Sequence, residues 1–108
     1  MDTVPQIEVT ELLTRLNQGE KLHMIDVRED EEVIHGMIPG AVHIPMNEIP
    51  ERITEVTTAP EVILICRSGY RSERVCEYLQ HLGIEGAVNM SGGMLAWNSI
   101  SGPTQLPS

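Results

Sequence analysis

The sequence contains no Phe, one Trp and two Tyr, so aromatics make up only 3% of its 108 residues. A core must therefore be built from Val, Ile, Leu, Met and Ala. Cysteine is scarce as well: Cys66 and Cys76 cannot staple a small secreted fold, which excludes a disulfide scaffold. No apolar run approaches the about 18 residues of a membrane span. The opening MDTVPQIEVT lacks the basic and apolar stretches of a secretory signal. The expectation is a cytoplasmic chain with no membrane partner and reduced cysteines. Basic residues are also few. Seven against 16 acids leave a formal charge of −9, and repulsion from phosphate argues against nucleic acid or an anionic membrane as a general partner. His23, His35, His43 and His81 are scattered, with no pair at i, i+4 and no Cys-x-x-Cys, so neither a metal nor another cofactor is expected.

At 41% hydrophobic residues the chain can bury enough surface to offset its ordering entropy, which excludes disorder. Its length fits one domain. We expect this to span residues 1–100, with 101–108, rich in Pro and Gly, as a frayed tail. Three of the seven basic residues, Arg67, Arg71 and Arg74, share a window in which Glu73 is the only acid. From Gly86 onward there is no charged side chain. One basic spot on an acidic protein suggests a site for a small anion.

Short apolar runs alternate with helical patterns. Strands are expected at Gln6 to Val9, Leu22 to Val27, Ala41 to Ile44, Val62 to Ile65 and Glu85 to Met90. Between them Thr10 caps a helix that turns Leu12, Leu13 and Leu16 to one face, and Asp30 caps a short helix with Val33, Ile34 and Met37 inward. Asn47 opens a helix tolerating Pro50 and aligning Ile49, Ile53 and Val56. Ser72 to Leu82 follows with Val75, Cys76, Leu79 and Leu82 inward, and Gly92 to Trp97 forms a last turn. Four consecutive aliphatics at Val62 to Ile65 suit a strand covered on both faces. The alternation predicts an α/β sandwich around a mostly parallel five-stranded sheet flanked by helices.

The segment Cys66-Arg67-Ser68-Gly69-Tyr70-Arg71-Ser72 lies between that strand and the next helix, where open α/β sheets bind ligands. Backbone N–H groups in such a turn, backed by a helix N-terminus, form an anion-binding nest, and Gly69 admits the positive φ such a curl needs. A cysteine beside Arg and a helix N-terminus is expected to be a thiolate at neutral pH, hence a nucleophile that needs no general base. Cys76, on the inward stripe of its helix, reads as a core residue.

At these residues the chain resembles the single-domain rhodanese family of sulfurtransferases. The resemblance rests on Asp26-Val27-Arg28-Glu29, on Gly36-Met37-Ile38-Pro39-Gly40-Ala41 followed by Ile44-Pro45, on the loop Cys66 to Arg71, and on Gly92-Gly93-Met94-Leu95-Ala96-Trp97. Met37 stands where the family usually has His. The resemblance implies a rhodanese-like three-layer sandwich and a Cys66 persulfide. Cys66 would take sulfur from an anionic donor such as thiosulfate and pass it to cyanide or a thiol, in ping-pong order; a protein donor or acceptor fits the same scheme. The amides of Arg67, Ser68, Gly69, Tyr70 and Arg71 would cradle the persulfide, with Arg71 and Arg67 adding charge. Asp26 and Arg28 would support the loop, or else form a surface ion pair or a turn hydrogen bond, and Trp97 would plug the core.

Two other functions fit a cysteine loop of this kind. A Cys-dependent phosphatase or arsenate reductase on the same fold would place its Arg one residue further from the Cys than Arg71 stands from Cys66. A non-catalytic rhodanese-like module that regulates a partner would have no use for Cys66, Arg67 and Arg71, all of which are present.

Overall fold

In the computed structural model, which describes residues 3–107, eleven short elements form the expected α/β sandwich. They are β1 (Gln6–Ile7), α1 (Val9–Asn17), β2 (Met24–Asp26), α2 (Asp30–Val33), β3 (Val42–His43), a 3₁₀ helix (Met46–Arg52), α3 (Ile53–Val56), β4 (Val62–Ile65), α4 (Tyr70–His81), β5 (Ala87–Met90) and α5 (Gly93–Ser99). The sheet order is β1-β5-β4-β2-β3, and every pairing in it is parallel. Among the described residues no helix is long and apolar enough to cross a membrane.

The central strand β4 occupies the expected residues, all four of them buried. Its side chains alternate between two cores. Val62 and Leu64 join Val75, Cys76 and Leu79 of α4, Ile49 of the 3₁₀ helix and Val56 of α3. Ile63 and Ile65 join Leu12 of α1 and Met94 and Trp97 of α5. With no Phe to fill space, Trp97 is the largest fully buried side chain, and its indole N–H donates to the Pro103 carbonyl at 2.9 Å.

Several boundaries and faces differ from expectation for identifiable reasons. Val9 belongs to α1, not β1, because Glu8 is the extended N-cap and the helix begins immediately after it. The N-cap of α2 is Glu29 instead of Asp30, in a reciprocal capping box with Glu32. This helix has only four residues, and Ile34, past its end, is exposed while Val33 is buried. Pro50 cannot donate an i→i−4 bond, and Met46–Arg52 takes the tighter 3₁₀ form before α3 begins. Leu82 is the C-cap of α4 and is exposed. Residues 103–107 are exposed, but Gln105 exchanges two backbone hydrogen bonds with Met37, each 2.8 Å. Met37 therefore packs as a buried residue under the C-terminal segment.

Candidate active site

The carboxyl ends of β2, β4 and β5, three adjacent strands, converge on Cys66. The residue directly follows β4, is fully buried, and accepts a hydrogen bond at Sγ from the Gly69 N–H at 3.0 Å, with the Ser72 hydroxyl 3.2 Å away and its one proton shared between Sγ and Asn89 Oδ1. Gly69 has φ +97° and is the N-cap of α4, so the helix starts at Tyr70 instead of Ser72. That shift puts Ser72 in the first turn facing inward, fully buried, with its hydroxyl at the sulfur.

The curl leaves donors free. Among the described residues, the backbone N–H groups of Arg67, Ser68, Tyr70, Arg71 and Ser72 donate to no other protein group. Unpaired N–H groups in a turn that opens a twelve-residue helix are suited to negative charge. The back of the loop is fastened from α5, whose Met94 and Leu95 N–H groups donate to the carbonyls of Cys66 (2.8 Å) and Arg67 (3.0 Å). That approach requires Gly92 and Gly93, both at positive φ, and a Cβ on Gly93 would overlap the Cys66 and Arg67 carbonyls.

Three side chains that the sequence reading gave no role complete the surroundings. The Ser72 hydroxyl also contacts Asn89 Oδ1, while Asn89 Nδ2 donates to Gln6 Oε1 (2.9 Å) and the Gly69 carbonyl (3.2 Å). Asn89 is thus a buried polar residue on β5 that ties two parts of the loop together. Its signal in the sequence was a lone amide inside an otherwise apolar strand. Glu32 is the third. Its two carboxylate oxygens accept from both terminal nitrogens of Arg71, at 2.7 and 2.8 Å, and one also accepts the Glu29 N–H at 2.9 Å.

The Arg71 guanidinium holds the Glu32 carboxyl down at about 2 against an ordinary 4.5; the Glu29 N–H adds to this and partial burial opposes it. A carboxyl depressed by folding adds stability in full above pH 4.5, and loses that contribution as the pH falls toward 2. Glu32→Gln should therefore flatten the acid limb of stability between those limits, read as thermal midpoint against pH.

Arg67 and Ser68 are exposed, and Arg67 lines a cleft of about 210 Å³ with Glu31, His35 and Asn98. Tyr70 is 65% exposed, with the Arg74 guanidinium 5.1 Å from its ring centre. Arg71, expected to bind donor charge, is paired with Glu32. Asp26 and Arg28 form a buried ion pair instead of a surface one, closed by contacts of 2.8 to 3.1 Å, and Arg28 also donates to the Gly36 carbonyl at 2.8 Å. The Arg28 guanidinium also lies 3.5 Å from the Glu32 backbone carbonyl of α2. Among the described residues no three His, Cys, Asp or Glu side chains gather to hold a metal.

Cys76 is fully buried in the α4 core, and burial pushes its thiol up to about 12. It should resist iodoacetamide in the native protein at pH 8 and react once the chain is unfolded, as peptide mapping would show.

Similarity to known proteins agrees with this geometry. Residues 8–100 match the rhodanese-like domain. The chain is 46% identical over 100 residues to YtwF of Bacillus subtilis, covering 93% of this chain and 96% of that protein. It is 38% identical over 94 residues to a sulfurtransferase of Allochromatium vinosum, covering 87% and 88% of the two. The crystal structure of a rhodanese-like domain protein from Staphylococcus aureus superposes with a TM-score of 0.86 at 36% identity, over 97% of this chain and all of that one. With the parallel five-stranded sheet and the cysteine loop at the end of its central strand, these likenesses establish that the chain belongs to the rhodanese-like family.

Proposed function

We propose that the protein is a sulfurtransferase that carries sulfur as a persulfide on Cys66. The observation that supports this most directly is a buried sulfur that accepts the Gly69 N–H, with the Ser72 hydroxyl beside it, at the base of a loop with five unpaired N–H groups. The Cys66 thiolate attacks the outer sulfur of a sulfane donor, with thiosulfate as the reference case. The donor's S–S bond breaks, its electron pair departs with the leaving group (sulfite, from thiosulfate), and the Sγ–S bond forms. An acceptor thiolate or cyanide then attacks the outer sulfur, and the pair of the Sγ–S bond returns to Cys66.

Each step needs negative charge held at or just above Sγ. The Gly69 N–H and the Ser72 hydroxyl serve the inner sulfur. The free amides of the loop are the donors available to the outer one. The sulfur-transfer reading is favoured over phosphatase chemistry by loop length. Four residues separate Cys66 from Arg71, a tighter curl suited to one sulfur atom more than to a tetrahedral phosphoryl group.

The test is to incubate the reduced protein with thiosulfate and measure the mass of the Cys66 peptide without reductant. A gain of one sulfur atom, lost again on adding cyanide with release of thiocyanate, is the expected result. A protein that gains no sulfur but releases phosphate from p-nitrophenyl phosphate would be a phosphatase. One that does neither would be a binding module.

A further inference from the structure

We propose that Glu32 sets the class of the sulfur donor: it occupies the Arg71 guanidinium as an internal anion, and so favours the persulfide of a thiol, which has no oxyanion group to place there, over a dianionic oxyanion. This rests on the sulfur-transfer reading of Cys66 and concerns which donor that site accepts.

Arg71 is the loop cation that a thiosulfate oxyanion would need, and both of its terminal nitrogens are bound to Glu32. A donor oxyanion must displace that carboxylate or settle beside it, like charge against like. Displacement is opposed by the way Glu32 is held. Its Oε1 also accepts the Glu29 N–H in the capping box, and its backbone carbonyl lies 3.5 Å from Arg28, itself locked to Asp26. With its carboxyl depressed to about 2, Glu32 stays charged at every pH where the enzyme would be assayed.

The surroundings reinforce the bias. Glu29, Asp30 and Glu31 precede Glu32 in the same exposed turn. Arg67 has no ion-pair partner among the described residues, but Glu31 and Glu32 share its cleft. A hydropersulfide, RS–SH, makes no demand on a guanidinium fork. The Cys66 thiolate attacks its outer sulfur, the RS–S bond breaks, RS⁻ leaves with the electron pair, and the proton stays on the transferred sulfur. The pairing geometry therefore penalises the oxyanion and leaves the persulfide largely unaffected.

The experiment compares kcat/KM for loading sulfur onto Cys66 from thiosulfate and from mercaptoethanol persulfide, in wild type, Glu32→Gln and Glu31→Gln. Glutamine can still fill its place in the capping box, so Glu32→Gln removes the charge without removing the cap. Glu31→Gln removes the same charge from the same helix but leaves the Arg71 pair intact.

The thiosulfate-to-persulfide ratio should rise about tenfold in Glu32→Gln, as expected for a unit charge removed at a half-exposed contact, and move less than about twofold in Glu31→Gln. No rise in Glu32→Gln, or an equal rise in both variants, would overturn the assignment; the second outcome would trace the effect to overall charge. If wild type takes sulfur from neither donor, the sulfur-transfer reading itself falls, and the donor assignment with it.

Discussion

Cys66→Ser should reduce sulfur loading from any sulfane donor to the uncatalysed background while leaving the fold in place. The effect on chemistry is total because a serine oxygen cannot hold the transferred atom as a sulfur–sulfur bond, and no second thiol can substitute. Cys76 is buried under α4 with its thiol pushed up to about 12, so it offers no thiolate near neutral pH. The effect on stability is small because the replacement hydroxyl inherits satisfied surroundings: the Gly69 N–H can donate to it, and the Ser72 hydroxyl lies alongside. A buried polar group with partners costs about 1–2 kcal/mol at most. Two measurements decide the matter together, intact mass after exposure to donor and the thermal midpoint. Persistent transfer in a folded Cys66→Ser variant would remove Cys66 from the mechanism. Loss of transfer accompanied by unfolding would be distinguished by the midpoint, and Cys76→Ala, expected to retain loading, serves as the matched cysteine control.

How much of this was legible in the sequence depends on how local each cause is. β4 was readable to the residue, because four consecutive aliphatics have few homes other than a strand covered on both faces. The inward stripe of α4 was readable at Val75, Cys76 and Leu79, all buried, and failed only at Leu82, where the helix has already ended. The start of α4 was misplaced for an instructive reason. Gly69 reads as a loop residue, which moves the expected helix start on to Ser72. In the structure Gly69, at positive φ, is itself the cap, and Ser72 turns its hydroxyl to Cys66 in place of a backbone amide.

The interactions that shape the site's chemistry are those least visible in sequence. Arg71 and Glu32 are 39 residues apart, Ser72 and Asn89 are 17 apart, and Asn89 and Gln6 are 83 apart. No periodicity or motif spacing encodes such pairings. They exist because the parallel sheet sets β1 beside β5, in register at Gln6 and Asn89, and brings the carboxyl ends of β5, β4 and β2 side by side. An arginine's presence in a loop was readable, but its availability was not, since that depends on a carboxylate delivered by α2.

Gly93→Ala should be the most damaging single-methyl change at the site, lowering stability by about 3 kcal/mol or more and sulfur loading with it. Two costs add. At φ +58° an alanine adopts the left-handed region at roughly 1–2 kcal/mol. Its Cβ would also overlap the backbone carbonyls of Cys66 and Arg67, which are not flexible side-chain ends that can swing away. Relief requires α5 to move back from the loop, stretching the Met94 and Leu95 N–H bonds that hold those carbonyls. The loop would then lose the fastening that fixes Cys66 Sγ against Gly69 and Ser72. Gly83→Ala separates the two costs. Gly83 has φ +81° but nothing within 4 Å of the added carbon, so it should show the conformational penalty alone. At roughly 4–8 °C per kcal/mol for a domain near this size, Gly83→Ala should lower the thermal midpoint by several degrees with loading preserved, and Gly93→Ala by at least twice as much with loading impaired. Equal shifts in the two variants would mean that the close approach of α5 to the loop contributes nothing, and that the paired glycines serve only to turn the chain.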